Sequence, residues 1–376
     1  MNKAEEFIKD KLQQRAEKGI LRKLSSAIFQ SDFSSNDYLG FARSAELKIK
    51  TEQALDLIPA YQNGSAGSRL LSGNHWFTEE TEQHIAAFHL APAALLFNSG
   101  YDANLGLLSS LAQRGDAIIA DELIHASLID GARLSNANRY TFKHNDMDSL
   151  QSKLKLAKGN SYVVTESVFS MDGDTAPLAE ISKLCKTYQA NLIVDEAHAL
   201  GIYGKHGAGL VQQLGLENEV FARVITFGKA LGCHGAVVLG SKNLRTYLIN
   251  FARSFIYTTA APLHAIANIK SAYQLLEQTD YTPLIKEKIA CYQNLISEVA
   301  MNKTPSTSAI HTVIYPDSNS AKKAAATLQE KGLDVRAILS PTVAEGKERL
   351  RICLHAFNTE TEIQTLVKEL IKTYNA

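Results

Sequence analysis

The chain of 376 residues is 45% hydrophobic and 21% charged, a balance that suits an ordinary globular protein with one large core and room for a smaller one. Its 39 lysines and arginines equal its 39 aspartates and glutamates, so there is no basic excess to neutralise a phosphate backbone, and no nucleic-acid partner is expected. No apolar run reaches the roughly 18 to 20 residues needed to span a bilayer, which argues against membrane insertion.

The opening MNKAEEFIKDKLQQRAEKG mixes charges throughout and lacks the apolar core of a signal peptide, so it predicts a polar helix on a cytoplasmic protein. From about residue 90 to 240, β-rich runs alternate with helical segments: ALLFNSG, YDANLGLLSSLAQRG, DAIIADE, SYVVTES, LAEISKLCKTYQA, NLIVDEAH, RVITFGK and GAVVLGS. That rhythm predicts an α/β fold whose central sheet is mostly parallel and flanked by helices. Val163-Val164 and Leu192-Ile193-Val194 are apolar on both strand faces, as burial between two helical layers requires. Beyond about residue 262 a long helical stretch leads to SAIHTVIYP, AKKAAATLQEKG, LDVRAILSP and RLRICLHA, a smaller α+β unit. The expected divisions are an N-terminal helix and arm (1–45), a large domain (46–262) and a small C-terminal domain (263–376). The last helix opens on a capping box, Thr359-x-x-Glu362, and turns Ile363, Leu366, Val367, Leu370 and Ile371 to the core. Cys185, Cys233, Cys291 and Cys353 are scattered without a C-x-x-C pair and read as buried apolar residues in a reducing compartment.

Asp195-Glu196-Ala197-His198 spells the acidic box of a helicase, a reading that needs a glycine-rich loop ending in Gly-Lys-Ser/Thr to hold the β and γ phosphates. Lys205, Lys229 and Lys347 each follow a glycine, but His206, Ala230 and Glu348 come next, so no phosphate cradle exists. GSAGSRLLSG lacks the preceding apolar strand of a dinucleotide fingerprint.

Ligands of such sheets gather at the carboxyl ends of the strands, where Asp195, Ser167, Ser99 and Thr226 all fall. Asp195 at one strand end and Lys229 just past the next meet two demands of pyridoxal phosphate: an acid for the pyridinium nitrogen and a lysine for the aldehyde. His198 is placed to reach the ring's phenolic oxygen. Ser99-Gly100-Tyr101 joins a strand to a helix whose free amides suit a phosphate, while Ser170 and Thr226 add hydroxyl donors.

Taken together, FSSNDYLGF (33–41), GSAGSRLLSGNH (64–75), LFNSGYDAN (96–104), DELIHASLIDGARLS (121–135), TESVFSMDGDTAPL (165–178), VDEAHALGIYGKHGAG (194–209), TFGKALG (226–232) and RLRICL (349–354) resemble the α-oxoamine synthases over nearly the whole chain. These are fold type I pyridoxal-phosphate enzymes that condense an amino acid with an acyl thioester and lose carbon dioxide.

The resemblance implies Lys229 as the Schiff-base lysine, Asp195 on the pyridinium nitrogen, His198 on the phenolic oxygen and His125 stacked on the ring. It implies phosphate binding by the amides of Gly100 and Tyr101 and by Thr226, a cofactor contact from Ser170, and a phosphate contact from Thr258 or Thr259 of a neighbouring subunit, with Thr259 preferred. Arg351 would bind the amino-acid carboxylate, and Arg22, Asn36 and Thr342 match substrate positions. The branch it most resembles joins L-alanine to a pimeloyl thioester, carried on coenzyme A or acyl carrier protein, in biotin synthesis, and works as a homodimer. The rivals are a sibling condensation using glycine or serine, a non-catalytic partner subunit, and a transaminase or lyase on the same fold. Cys233-His234 departs from the family, which often has small residues there.

Overall fold

The computed structural model describes residues 2–375. Its strands are β1 (Ser31–Asp32), β2 (Ala93–Phe97), β3 (Ala117–Asp121), β4 (Asn138–Phe142), β5 (Ser161–Glu166), β6 (Asn191–Asp195), β7 (Ala222–Thr226), β8 (Ala236–Gly240), β9 (Ile310–Ile314), β10 (Leu333–Asp334), β11 (Arg336–Ile338) and β12 (Arg349–Cys353). Seven of them form one sheet in the order β2-β8-β7-β6-β5-β3-β4. Within it β8 alone runs against its neighbours, and every other pairing is parallel. The reversal has a simple cause: residues 227–235 between β7 and β8 are too few for the crossover of a dozen or more residues that a parallel connection needs.

Both faces of the sheet are covered. Val163, Val164, Leu192, Ile193, Val194, Val224 and Ile225 are all buried at 1% exposure or less, each contributing on the order of 1.5–3 kcal/mol by leaving water. The fold is mixed α/β with the expected mostly parallel central sheet. The strand β4 was not evident in sequence, because Asn138, Arg139 and Thr141 are exposed on the sheet's edge, where polar side chains discourage pairing with another chain.

Chain order across the sheet matters for the site. From β3 the chain moves outward to β4, then returns to β5 on the other side of β3 and proceeds through β6 to β7. The switch of direction opens a crevice between the carboxyl ends of β3 and β5.

A second, three-stranded antiparallel sheet has the order β11-β12-β9. The arm after the N-terminal helix Lys3–Glu17 is tied to this region: β1 pairs with β10 in a separate two-stranded sheet, Cys353 N at the end of β12 donates to Phe33 O at 2.8 Å, and Ala356 N donates to Tyr38 O at 2.8 Å. These bonds carry Asn36 and Tyr38 between the two sheets. The final helix Glu360–Tyr374 has the expected capping box and buries Ile363, Leu366, Val367 and Leu370, with Ile371 half-buried. Cys185, Cys233 and Cys353 are buried as expected, whereas Cys291 is only half-buried, and all four are free thiols. No described helix is long and apolar enough to cross a membrane.

Candidate active site

A cavity of ≈ 270 Å³ lies at the carboxyl ends of the central strands, lined by Asn36, Gly100, Tyr101, His125, Asp195, His198, Thr226 and Lys229. Asp195 closes β6 and Thr226 closes β7. Asp195 is 5% exposed and is aimed by two donors: Asn104 Nδ2 reaches its Oδ2 at 2.7 Å, and Ala197 N reaches its Oδ1 at 2.9 Å. Glu196, the next residue, turns the other way into a buried ion pair with Arg223, whose guanidinium also donates to the carbonyls of His89 and Ala208. The acidic box thus splits into one acid in the cavity and one behind the sheet.

Lys229 stands in a tight turn after β7, where Gly232 N donates to Lys229 O at 2.9 Å and Cys233 N to Phe227 O at 2.9 Å. Its Nζ lies 2.9 Å from His198 Nε2, and His198 Nδ1 lies 2.6 Å from Tyr38 Oη, which donates in turn to Asn36 Oδ1 at 3.1 Å. One arrangement satisfies the chain: Lys229 donates to Nε2, and the Nδ1–H donates to the tyrosine oxygen. Burial, and then the neighbouring charge of Lys229, drive His198 well below the usual histidine range, so the ring is neutral and can accept. Burial also lowers Lys229 to about 8, against the opposing pull of Asp195 and Glu166.

The phosphate-like end has its own logic. Ser99 caps the helix Gly100–Leu111, its Oγ accepting Asp102 N at 3.1 Å, so the first-turn amides of Gly100 and Tyr101 are left for a ligand. Thr226 Oγ1 is buried and has no partner, an unmet demand that an anion would meet. A side chain at position 100 would put its Cβ 2.4 Å from Thr226 Cγ2, so glycine alone keeps that cradle open. A lysine, an oriented carboxylate, an orphaned hydroxyl and free helix amides around one cavity fit pyridoxal phosphate.

His125 caps the helix Ala126–Leu134 with its Nδ1 on Ser127 N, and its ring faces the same cavity. Ser170 and Arg351 are buried beside the cavity, not on its wall. Arg351 donates Nε to Ser170 O at 2.7 Å, Nη1 to Cys353 Sγ at 3.0 Å and Nη2 to Asn36 Oδ1 at 3.0 Å; none of these partners is a carboxylate.

Other sequence candidates lie apart. Arg22 and Thr342 are exposed and bond each other, Nη2 to Oγ1, at 3.1 Å outside the cavity wall. Thr258 Oγ1 and Thr259 O are held by Asn98 Nδ2 at 3.0 and 2.8 Å, and neither threonine lines the cavity that holds Lys229. Four participants escaped sequence reasoning: Tyr38, Asn104, Ser127 and Glu166. All four stand inside motifs already singled out, yet only the fold reveals which way their side chains turn.

The model of the family "Aminotransferase class I and II" matches residues 30–370. The chain is similar to the 8-amino-7-oxononanoate synthase of Emericella nidulans, 42% identical over 96% of this chain and 94% of that one. It is likewise similar to that of Marinobacter nauticus, 41% identical over 91% and 86%. Among solved structures it is similar to the 8-amino-7-oxononanoate synthase of Francisella tularensis, with TM-score 0.78 and 31% identity over 93% and 98% of the two chains. It also resembles the serine palmitoyltransferase of Sphingomonas wittichii, with TM-score 0.87 and 28% identity over 98% and 96%, and SPT with PLP, with TM-score 0.89 and 26% identity over 99% and 98%.

Proposed function

Because the chain belongs to the aminotransferase class I and II family, we propose that it makes 8-amino-7-oxononanoate by joining L-alanine to a pimeloyl thioester, with pyridoxal phosphate as cofactor. Carbon dioxide and the free thiol are the other products, and biotin biosynthesis is the setting. The observation that carries this reading is one cavity holding Lys229, the oriented Asp195, the unpartnered Thr226 hydroxyl and the free amides of Gly100 and Tyr101.

When bound, the cofactor supplies an aldehyde for the amino acid's nitrogen and a protonated ring that takes up the electrons left by its broken Cα bonds. Asp195 would keep the ring nitrogen protonated, and Asn104 and Ala197 fix the direction of its carboxylate. Lys229 would be the residue that holds the cofactor's aldehyde, and its amine, neutral when free, would be the base for the Cα proton of alanine. Neutral His198 fixes the position of that amine through Nε2. His125, whose ring lines the cavity, would hold the cofactor's ring from one side, and Ser170 would join the cofactor contacts. Arg351 receives the alanine carboxylate in its planar fork, which spends no bond on a protein carboxylate. Asn36, Arg22 and Thr342 belong to the substrate side of the same proposal.

A homodimer, with Thr259 reaching the partner's phosphate, is part of this reading, as are the divisions at residues 45 and 262. Apolar side chains left open along the N-terminal segment support the dimer. The four free thiols suit a reducing, cytoplasmic setting. Coenzyme A or an acyl carrier protein delivers the pimeloyl group.

Thiol release by the cofactor-loaded protein tests the proposal, with alanine, glycine and serine offered against pimeloyl, acetyl, succinyl and palmitoyl thioesters. Preference for alanine with the pimeloyl thioester is expected. Preference for another pair would move the chain to a sibling reaction, and no release with any pair would overturn acyl transfer altogether.

A further inference from the structure

Glu166 ends β5, is buried at 2% exposure and lines the cavity, yet the reaction above gives it no part. Its Oε1 accepts the main-chain N–H of His125 at 2.5 Å, and the main-chain N–H of Ser170 is directed at the same carboxyl. The two residues leave different strand ends, His125 after β3 and Ser170 after β5, on either side of the crevice where the sheet changes direction. Glu166 is therefore a tie between the two loops that bring His125 and Ser170 to the cofactor.

Its charge environment is unusual. Glu166 is the direct register partner of Asp195 on the neighbouring parallel strand, so the two side chains leave the same face of the sheet. Three groups act on it electrostatically or by hydrogen bonding from other elements: Asp195 on β6, Lys229 in the turn after β7, and His125 in the loop after β3. Two buried carboxyl groups beside a single ammonium cannot both be ionised at low cost.

We propose that Glu166 is a positioning residue that works as the neutral acid, its carboxyl oxygen holding the His125 main chain while Asp195 alone carries the negative charge that the cofactor's ring nitrogen needs. The proposal rests on the pyridoxal-phosphate reading. An ionised Glu166 would compete with Asp195 for the ring proton and for Lys229, weakening both contacts. The charge balance favours the neutral form: burial and then the Asp195 charge raise the carboxyl to about 8, outweighing Lys229 and the two main-chain donors. In the bare protein the acid therefore keeps its proton to higher pH than a free carboxyl group and gives it up as the pH is raised.

The test compares the full-length chain with E166Q and E166A, measuring the dissociation constant of pyridoxal phosphate and the visible absorbance of the bound cofactor between pH 6 and 9, with thermal unfolding as a control. Glutamine keeps the acceptor oxygen and cannot ionise. E166Q should bind within about 3-fold of wild type at pH 7 and lack the weakening expected of wild type at alkaline pH, whereas E166A should bind at least about 10-fold more weakly. E166Q binding as poorly as E166A would mean that the ionised carboxylate is required, and E166A binding like wild type would remove the positioning role; either result overturns the inference. Should E166A fail to fold, the pH profile of E166Q against wild type decides alone: identical profiles overturn the inference, and a flattened one supports it. A wild-type chain that produces no visible absorbance with pyridoxal phosphate sinks the cofactor reading itself, a result recognisable before any variant is made.

Discussion

Lys229 illustrates how a single side chain acquires chemistry from its surroundings. On a surface a lysine is a solvated charge; here burial favours the neutral amine and holds the group at about 8. Since only the neutral form attacks an aldehyde, capture of pyridoxal phosphate by the cofactor-free chain should accelerate as pH is raised and level off above about 8. Stopped-flow absorbance reads this directly, and a rate still climbing at pH 10 would show that the lysine is not held down. Arg351 makes a complementary prediction. Its three bonds run to Ser170, Cys353 and Asn36, and a lysine cannot reproduce the planar fork. R351K should raise the KM for alanine by about 10- to 100-fold, the worth of a charge-assisted hydrogen bond, with a smaller effect on the acyl thioester's KM. Equal effects on both substrates would sink the assignment.

Among the elements, the turn spanning residues 168–175 does the joining. A bridge between Val168 and Thr175 closes it. One side is clamped by His144, whose Nδ1 lies 3.0 Å from Asp121 Oδ1 and whose Nε2 lies 2.8 Å from Asp174 Oδ2, with the ring edge-on to Phe169 at 4.4 Å. The other side meets the small sheet, where Asp172 pairs with Arg349 and Gly173 O accepts the hydroxyls of Ser306 and Ser308. Burial works against protonation of His144, but the hydrogen bonds to Asp121 and Asp174 outweigh it and raise the ring to about 10. A raised histidine stabilises the fold fully below its unfolded value near 6.5 and loses that stabilisation as pH rises through about 10. H144Q should therefore cost about 2–3 kcal/mol at pH 6, and the deficit should shrink steadily by pH 10. Denaturant melts at the two pH values measure it; a deficit that does not change with pH would mean the clamp works without its charge.

For the molecule as a whole, the N-terminal segment is the feature that bears on assembly. Phe7, Ile8, Leu12, Leu24 and Ile28 are exposed, the last two at 105% and 96%, and the helix Lys3–Glu17 buries none of its residues. Apolar surface of that kind marks an interaction site, and isologous pairing is the commonest arrangement of soluble oligomers. Analytical ultracentrifugation should find wild type as a dimer and the double variant L24D/I28D shifted at least about 10-fold toward monomer, the effect of a little over 1 kcal/mol. A wild-type monomer at micromolar concentration would contradict the dimer proposal.

The α/β class was legible because buried parallel strands such as Leu192–Val194 must be apolar on both faces, and that pattern is local. Lys229, Asp195 and Thr226 were legible for the same reason: each sits at the end or just past the end of a readable strand, where ligands gather. Arg22 and Thr342 were nominated by motif position, and their meeting at the surface depends on how the arm folds back, which no local pattern records. The direction of β8 follows from a connection too short to cross over. Tertiary structure alone decided that Glu166 would face Asp195, that Tyr38 would reach His198 from residues 160 positions away, and that Glu196 would turn to Arg223. Hydrophobic periodicity reports which side of a strand or helix is buried, but the partner of a buried polar group is set by strand order and register, and those exist only once the chain has folded.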